Sequence, residues 1–341
     1  MEIRGRQGEV GAFLNGAAFE SLACNLCGRD EFFLLAERDA LGLPVRTVMC
    51  AACGLMAINP RLTKPWYERY YAYVDGLRRA YKHGIENPKE KLGRGFEEAR
   101  RHGRALAAGL GSFLKPGLTI DVGSAEGGLL AGMREVLPIE PVGIEPTIAR
   151  AEFATSRGIT TYAALIENIA DVAPKLPAAA NIVCTKSLNH FLDPGYFFRW
   201  AYATLAPDGR LLLEVKNFRQ QARMSGRIHF GIQIDHPFMF VPETLASFVR
   251  AAGFEILAFE VDEEKRRKAR LAQKRAGLPV GHIRLIARKT ERPSFAAPLP
   301  AQPRLVRRLR WEFSALGLFT HYLFRYAMPV RNTLRRMGIS P

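Results

Sequence analysis

Between residues 117 and 217 the chain alternates two hydrophobic patterns. LTIDVG, EPVGIEP, ITTYAA, ANIVCTKS and GRLLLEVKN are short apolar runs of strand length. GGLLAGMREVL, TIARAEFATSRG and PGYFFRWAYATLAP, interspersed among them, repeat their apolar residues at helical spacing. Strand, helix and strand in succession predict a parallel sheet covered by helices on both faces, a doubly wound α/β domain. Upstream, residues 89–114 have helical spacing closed by Lys115-Pro116-Gly117, and the aromatic, charged stretch at 66–81 reads as a packing helix.

In such a sheet, ligands bind at the carboxyl ends of the strands. The first run ends in Asp121-Val-Gly123-Ser-Ala125-Glu-Gly127, which opens a helix. Gly123 suits a tight turn and Gly127 a close helix approach, leaving space over the turn for a ligand. A glycine turn alone is a weak signal. The second run, however, ends at Glu145, 22 residues after Gly123, where an acidic side chain accepts hydrogen bonds from a ribose diol. A dinucleotide such as NAD is one ligand of this kind.

The order of segments resembles class I S-adenosylmethionine-dependent methyltransferases. TIDVGSAEGGLL is similar to their first motif, VGIEP to the acidic second, NIVCTKSLNHFLDP to the fourth-strand segment and LAPDGRLLLEV to the fifth strand. HPFMFVPETLASFVRAAGFEI resembles the late helix and sixth strand, with Pro242 and Gly253 as its boundaries, and GHIRLIARK the antiparallel seventh strand. The resemblance spans about residues 90–290 and implies a seven-stranded Rossmann-like sheet. It also implies S-adenosylmethionine as cofactor, held by Asp121, Gly123, Ser124, Ala125, Gly127, Glu145, Pro146 and Ser187.

Four of the five cysteines form two C-x-x-C pairs, Cys24/Cys27 and Cys50/Cys53, with 22 residues between them. The first 22 residues contain no apolar h-region and no small-residue cleavage site, so a reducing cytoplasm is expected. There the pairs suit a four-thiolate structural Zn²⁺ site, with disulfides or a redox pair as the alternatives. Four sulfurs leave no open coordination position, so such a metal folds the segment without catalysing. Cys184, in an apolar run, reads as a small core residue.

Cysteine pairs, an aromatic YERYYAY stretch and then a methyltransferase resemble bacterial zinc-ribbon methyltransferases, including sugar C-methyltransferases acting on nucleotide-linked deoxy-sugars. The likeness implies that the metal module recruits substrate and helps cover the active site. It points to His190 in SLNHFLDP and to Asp235-His236 in QIDHPFMF as catalytic candidates, because imidazole accepts a proton near neutral pH and a carboxylate orients it. Asn189 and Glu214 are the candidate acceptor contacts.

Charge changes the picture at one end only. Of a formal net charge of +16, residues 261–341 carry 19 basic and 5 acidic side chains, leaving +2 on the first 260 residues. A nucleic-acid enzyme is therefore disfavoured, since phosphate binding calls for basic residues around the site. The expected organisation is a zinc ribbon (20–60), a helical connector (61–115), the methyltransferase domain (116–290, with a basic insertion at 262–280), a Pro/Ala linker (291–303) and a basic aromatic tail (304–341). With six aromatics among arginines and no acid after Glu312, the tail suits an anionic membrane surface, docking on the core or a partner subunit, or nucleic acid. The expected activity is methyl transfer to a sugar, nucleotide-sugar or lipid-linked glycan in the cytoplasm or on the inner membrane face. An RNA methyltransferase and a non-catalytic adenosyl-binding scaffold are the alternatives, and oligomerisation is left open.

Overall fold

The computed structural model describes residues 12–70, 88–169, 176–262, 271, 273–275, 277–291, 295 and 299–322. The expected tail beyond 322, most of the basic insertion, and the 66–81 stretch beyond 70 lie outside the described residues.

In chain order the strands are β1 (Phe19–Glu20), β2 (Phe32–Arg38), β3 (Pro44–Cys50), β4 (Met56–Ile58), β5 (Arg61–Leu62), β6 (Gly117–Val122), β7 (Ile139–Ile144), β8 (Thr160–Tyr162), β9 (Ala179–Thr185), β10 (Leu205–Lys216), β11 (Phe238–Met239), β12 (Phe254–Val261) and β13 (His282–Lys289). Helices among the described residues include α1 (Pro88–Leu110), α2 (Gly128–Arg134), α3 (Ile148–Ser156), α4 (Pro194–Thr204), α5 (Phe218–Ser225), α6 (Pro242–Ala251) and α7 (Pro303–Glu312). They fold into two compact units, one of residues Glu68–Asn217 and Val241–Pro298, the other of Met1–Tyr67, Phe218–Phe240 and Leu299–Pro341.

The first unit carries a seven-stranded sheet in the order β12-β13-β10-β9-β6-β7-β8. The pairs among β6 to β10 are parallel, and β13 runs antiparallel to both β10 and β12, as expected for the seventh strand. Strand order reverses between β6 and β9, so the crevice beyond their carboxyl ends is the switch point where such sheets bind ligands. The expected fold class is thus the observed one.

Apolar residues make the strands stay where the pattern put them. Ile120, Val122, Ile182, Val183, Leu211, Leu212, Leu213, Leu285 and Ile286 are all buried, and each large side chain so removed from water contributes about 2 kcal/mol before entropy is counted. Helix α1 lies close against α2 because both surfaces are shaved to glycine. A Cβ on Gly103 would meet the Leu129 carbonyl oxygen at 2.0 Å, and one on Gly132 the Arg100 carbonyl oxygen at 1.9 Å. Asp193 caps α4 by accepting the Tyr196 N–H at 2.9 Å, with Pro194 in its first turn, which accounts for the Asp-Pro pair in the sequence. Pro242 begins α6, and Gly253 (φ +86°) lies just beyond its end.

The second unit holds a four-stranded antiparallel sheet, β11-β4-β3-β2, and the two-stranded β1-β5. Its outer strand β11 comes from far along the chain, pairing Phe238 with Ala57 and Met239 with Met56. Residues 218–240, read from the sequence as part of the 116–290 domain, therefore fold with the cysteine-bearing unit. Backbone hydrogen bonds draw them there: the Ile58 N–H donates to the Pro237 carbonyl and the Ala40 N–H to that of Ile232. Helix α7 joins the same unit, with Phe313 stacked on Phe218 at 5.3 Å between ring centroids. Among the described residues no helix is long and apolar enough to cross a membrane.

Candidate active site

The turn after β6 is shaped by what it must avoid. Gly123 adopts φ +82°, and a Cβ there would lie 2.2 Å from the Ser187 hydroxyl oxygen, so only glycine lets β6 and β9 end this close together. Ser187, just after β9, donates to the Thr185 carbonyl at 3.1 Å and to that of Gly123 at 3.3 Å. Ala125 also has a left-handed backbone (φ +48°), an uncommon state for a residue with a Cβ. Gly127 (φ +77°) caps the start of α2.

Glu145 explains how Ala125 is held. Directly after β7 and almost wholly buried, its carboxylate accepts the Ala125 N–H on Oε2 and the Thr147 N–H on Oε1, both at 3.0 Å. Each carboxylate oxygen has a further lone pair, so the same group can receive two ribose hydroxyls. Pro146, beside it, is exposed.

Asp121, the last inward position of β6, is 1% exposed, and its Oδ1 has no hydrogen-bond partner among the described residues. Burial, reinforced by the charge of Glu145, pushes its carboxyl up to about 8. The buried Ser124 hydroxyl is likewise unpartnered among the described residues. An acid lacking a donor, beside a hydroxyl lacking a partner and a carboxylate with acceptor capacity, fits a ligand that brings hydroxyls and positive charge. S-adenosylmethionine has both, so the residues present fit that cofactor.

The other residues singled out from the sequence divide between the units. In the sheet unit, Asn189 is buried and His190 half-buried in the turn Leu188–His190 that follows β9, with the His190 N–H on the Ser187 carbonyl at 2.8 Å. Glu214, expected to meet a sugar hydroxyl, is fully covered at 0% exposure. Arg284 Nε donates to its Oε2 at 2.7 Å, and His102 Nε2 lies 3.1 Å from Oε1. Burial alone would raise this carboxyl, but the His102 hydrogen bond and the charges of His102 and Arg284 hold it down to about 2. These contacts support a role in fastening α1 and β13 to β10.

Asp235 and His236 lie in the cysteine-bearing unit, both buried, immediately before β11, with the His236 N–H on the Gln233 carbonyl at 2.9 Å. Sequence reasoning missed Asp39, which supports them. Its Oδ1 accepts the Leu41 and Leu43 N–H groups at 2.9 Å each, and Ile234 donates a further backbone N–H to it. Burial raises the Asp39 carboxyl above its ordinary value against those hydrogen bonds, and the charge of Asp235 adds to the rise. No motif surrounds Asp39; its only trace in the sequence is an Asp ahead of a Gly-containing turn.

The two cysteine pairs occupy matching turns. Gly28 donates its N–H to the Cys24 carbonyl at 2.8 Å and Gly54 to that of Cys50 at 3.0 Å, each with positive φ directly after the second cysteine. Cys24 Sγ lies 3.5 Å from Cys53 Sγ, Cys27 Sγ 3.5 Å from Cys50 Sγ, and all four sulfurs fall within 4.8 Å of one another. A tetrahedron with Zn–S bonds of about 2.3 Å has S···S edges of about 3.8 Å, so the four thiols fit one zinc ion. All five cysteines are unbridged, and Cys184 is buried in β9 as expected of a core residue.

A doubly wound sheet with a glycine turn after its first strand and a buried acid after the second is the arrangement in which open α/β sheets receive a nucleoside-bearing ligand. Residues 95–258 match the family model described as methyltransferase domain, and the seven-stranded sheet has the Rossmann-like methyltransferase fold. The protein is a methyltransferase. Its structure is similar to an S-adenosylmethionine-dependent methyltransferase from Thermotoga maritima (14% identity, 66% of this chain and 99% of that one, TM-score 0.43). Others are from Archaeoglobus fulgidus (18%, 56% and 94%, TM-score 0.44) and Mesorhizobium loti (16%, 54% and 98%, TM-score 0.41). No curated protein sequence matches the chain.

Proposed function

We propose that the protein methylates a small, sugar-like acceptor such as a nucleotide-linked sugar or a lipid-linked glycan intermediate, and that Cys24, Cys27, Cys50 and Cys53 hold a structural Zn²⁺. The observation that carries the reading is the pairing of β11 with β4. It ties the segment that begins with Asp235-His236 to the small sheet beside the second cysteine turn, so the cysteine-bearing module and a candidate proton acceptor belong to one folded unit. This agrees with the resemblance to zinc-ribbon sugar methyltransferases, in which the metal module serves the acceptor.

When bound, S-adenosylmethionine supplies a methyl group on a sulfonium, open to in-line displacement. Glu145 receives the ribose hydroxyls, Asp121 and Ser124 meet the donor's polar groups, and the turn at Gly123 leaves room for the adenosyl moiety. Since displacement is mostly a matter of alignment, the remaining task is to take a proton from the acceptor. His190 and His236 are the candidate bases, with Asp235 orienting His236 and Asn189 contacting the acceptor.

The test is methyl transfer from labelled S-adenosylmethionine to a panel of nucleotide-sugars, with calorimetry of donor binding in parallel. Product on a nucleotide-sugar, lost in His190→Ala or His236→Ala while donor affinity stays, supports the reading. Donor binding with transfer to RNA and not to any sugar replaces it, and donor binding with no acceptor at all points to a scaffold.

A further inference from the structure

The C-terminal extension presents two well-sorted faces. On its inner face α7 is fitted to the second cysteine turn. The Gln302 N–H donates to the Ala52 carbonyl at 2.7 Å, and Val306, Leu309 and Phe313 are buried. Leu309 comes so near Gly54 that a Cβ there would sit 2.8 Å from its Cδ1. The Arg310 guanidinium lies 4.0 Å from the centroid of the Phe33 ring on β2, and Arg219 holds Glu312 at 2.7 Å. The helix is part of the cysteine-bearing unit, so the direction of its outer face is determined by that packing.

The outer face carries Arg304, Arg307, Arg308 and Trp311, positions i, i+3, i+4 and i+7 of one helical stripe, all exposed. After a break at Phe313–Ser314 the chain is helical again from 315 to 322, where Leu316, Phe319 and Tyr322 are exposed while Gly317 and Leu318 are buried. Trp311, Leu316 and Phe319 are 55%, 58% and 55% exposed, an unusual amount of large apolar surface on neighbouring turns. Between 304 and 322 the sole acid is Glu312, which is committed to Arg219 and lies 3.7 Å from Arg308.

We propose that this outer face docks on an anionic lipid bilayer, with the arginines on headgroup phosphates and Trp311, Leu316 and Phe319 in the interfacial layer. Arginine beside aromatic and aliphatic side chains on one helical face is the chemistry that such a surface receives. A second copy of the chain suits it poorly, because a two-fold contact would set the arginine stripe against itself with no acid to answer it. A nucleic acid would meet the arginines but leaves Leu316 and Phe319 without an apolar partner.

The test is co-sedimentation of the full-length protein with vesicles of phosphatidylcholine alone and of phosphatidylcholine with phosphatidylglycerol. Two exposed-face variants accompany it, Arg304→Glu/Arg307→Glu/Arg308→Glu and Trp311→Ser/Leu316→Ser/Phe319→Ser, with S-adenosylmethionine affinity as the control for folding. Binding to the anionic vesicles is expected, weakened by salt and absent from phosphatidylcholine alone. Each arginine near the surface is worth about fivefold in partitioning, so the triple charge reversal should cost ~100-fold, and the apolar variant at least ~10-fold. Several outcomes overturn the proposal: no anionic-vesicle binding, equal binding to both vesicles, or binding that survives either variant. Concentration-dependent self-association lost in the apolar variant, without vesicle binding, would make the face an interface between copies. RNA retention that depends on the arginines alone would make it a nucleic-acid surface. Since donor affinity is read separately, failure here leaves the proposed methyl transfer standing.

Discussion

The carboxylate of Glu145 accepts the backbone N–H of Ala125 at 3.0 Å, tying the end of β7 to the turn after β6. One side chain thus holds a left-handed alanine in place, and in the proposed donor complex the same carboxylate would also receive the ribose hydroxyls.

Glu145→Ala should therefore act twice. Loss of the ribose acceptor and release of Ala125 together should weaken S-adenosylmethionine binding at least ~10-fold, consistent with about 1.5–3 kcal/mol for a hydrogen bond to a charged group. Calorimetry of the folded variant checks it, and unchanged affinity would mean that the donor does not use the end of β7.

Asp121 predicts a pH dependence with a definite sign. Its carboxyl is raised from 3.8 to about 8 in the folded protein, so between those values the native state holds a proton that the unfolded chain has released. Its contribution to stability is accordingly greatest below about pH 4 and is lost as pH rises towards about 8. Asp121→Asn should flatten that part of the ligand-free melting profile. Donor affinity in the native protein should rise over pH 6–8, as the ionised carboxylate meets the cationic donor; a pH-independent affinity equal to that of the variant would refute the contact.

Glu214, Arg284 and His102 predict the opposite slope. The Glu214 carboxyl is depressed from 4.5 to about 2, so its stabilisation is present above pH 4.5 and fades as pH falls towards 2. Arg284→Leu strands a buried carboxylate and should cost about 3–5 kcal/mol at neutral pH, whereas Arg284→Leu combined with Glu214→Leu should recover much of that loss. Chemical denaturation of the three proteins decides the matter, and equal stability of the single and double variants would dissolve the pair.

The cysteine cluster predicts one zinc per chain. Metal analysis of carefully purified protein should find it, and Cys50→Ser should lower the zinc content and open residues 24–58 to proteolysis, because the metal's binding energy is folding energy for so small a sheet. Less than half an equivalent of any metal in the native protein would remove the zinc site.

Local chemistry was readable along the chain wherever it repeats or is spaced by a rule. Strand and helix periods announced the doubly wound sheet, and the paired C-x-x-C-G turns announced a four-sulfur cluster. The interval from Gly123 to Glu145 identified two adjacent strand ends, since a strand-helix-strand unit has a nearly constant length. Each of these signals is a short-range property, decided by backbone geometry within about 30 residues.

What the sequence by itself determined is therefore the architecture of the sheet, the glycine turn with the acid that faces it, and the clustering of four cysteines. Tertiary structure alone decided that Asp235 and His236 belong to the cysteine-bearing unit, that Asp39 supports their loop, and that Arg284 and His102 claim Glu214. Those pairings join residues 70 to about 200 positions apart, and they depend on strand register and on which edge a returning segment covers. Register is settled by the simultaneous burial of many side chains, so no single stretch of sequence can declare it.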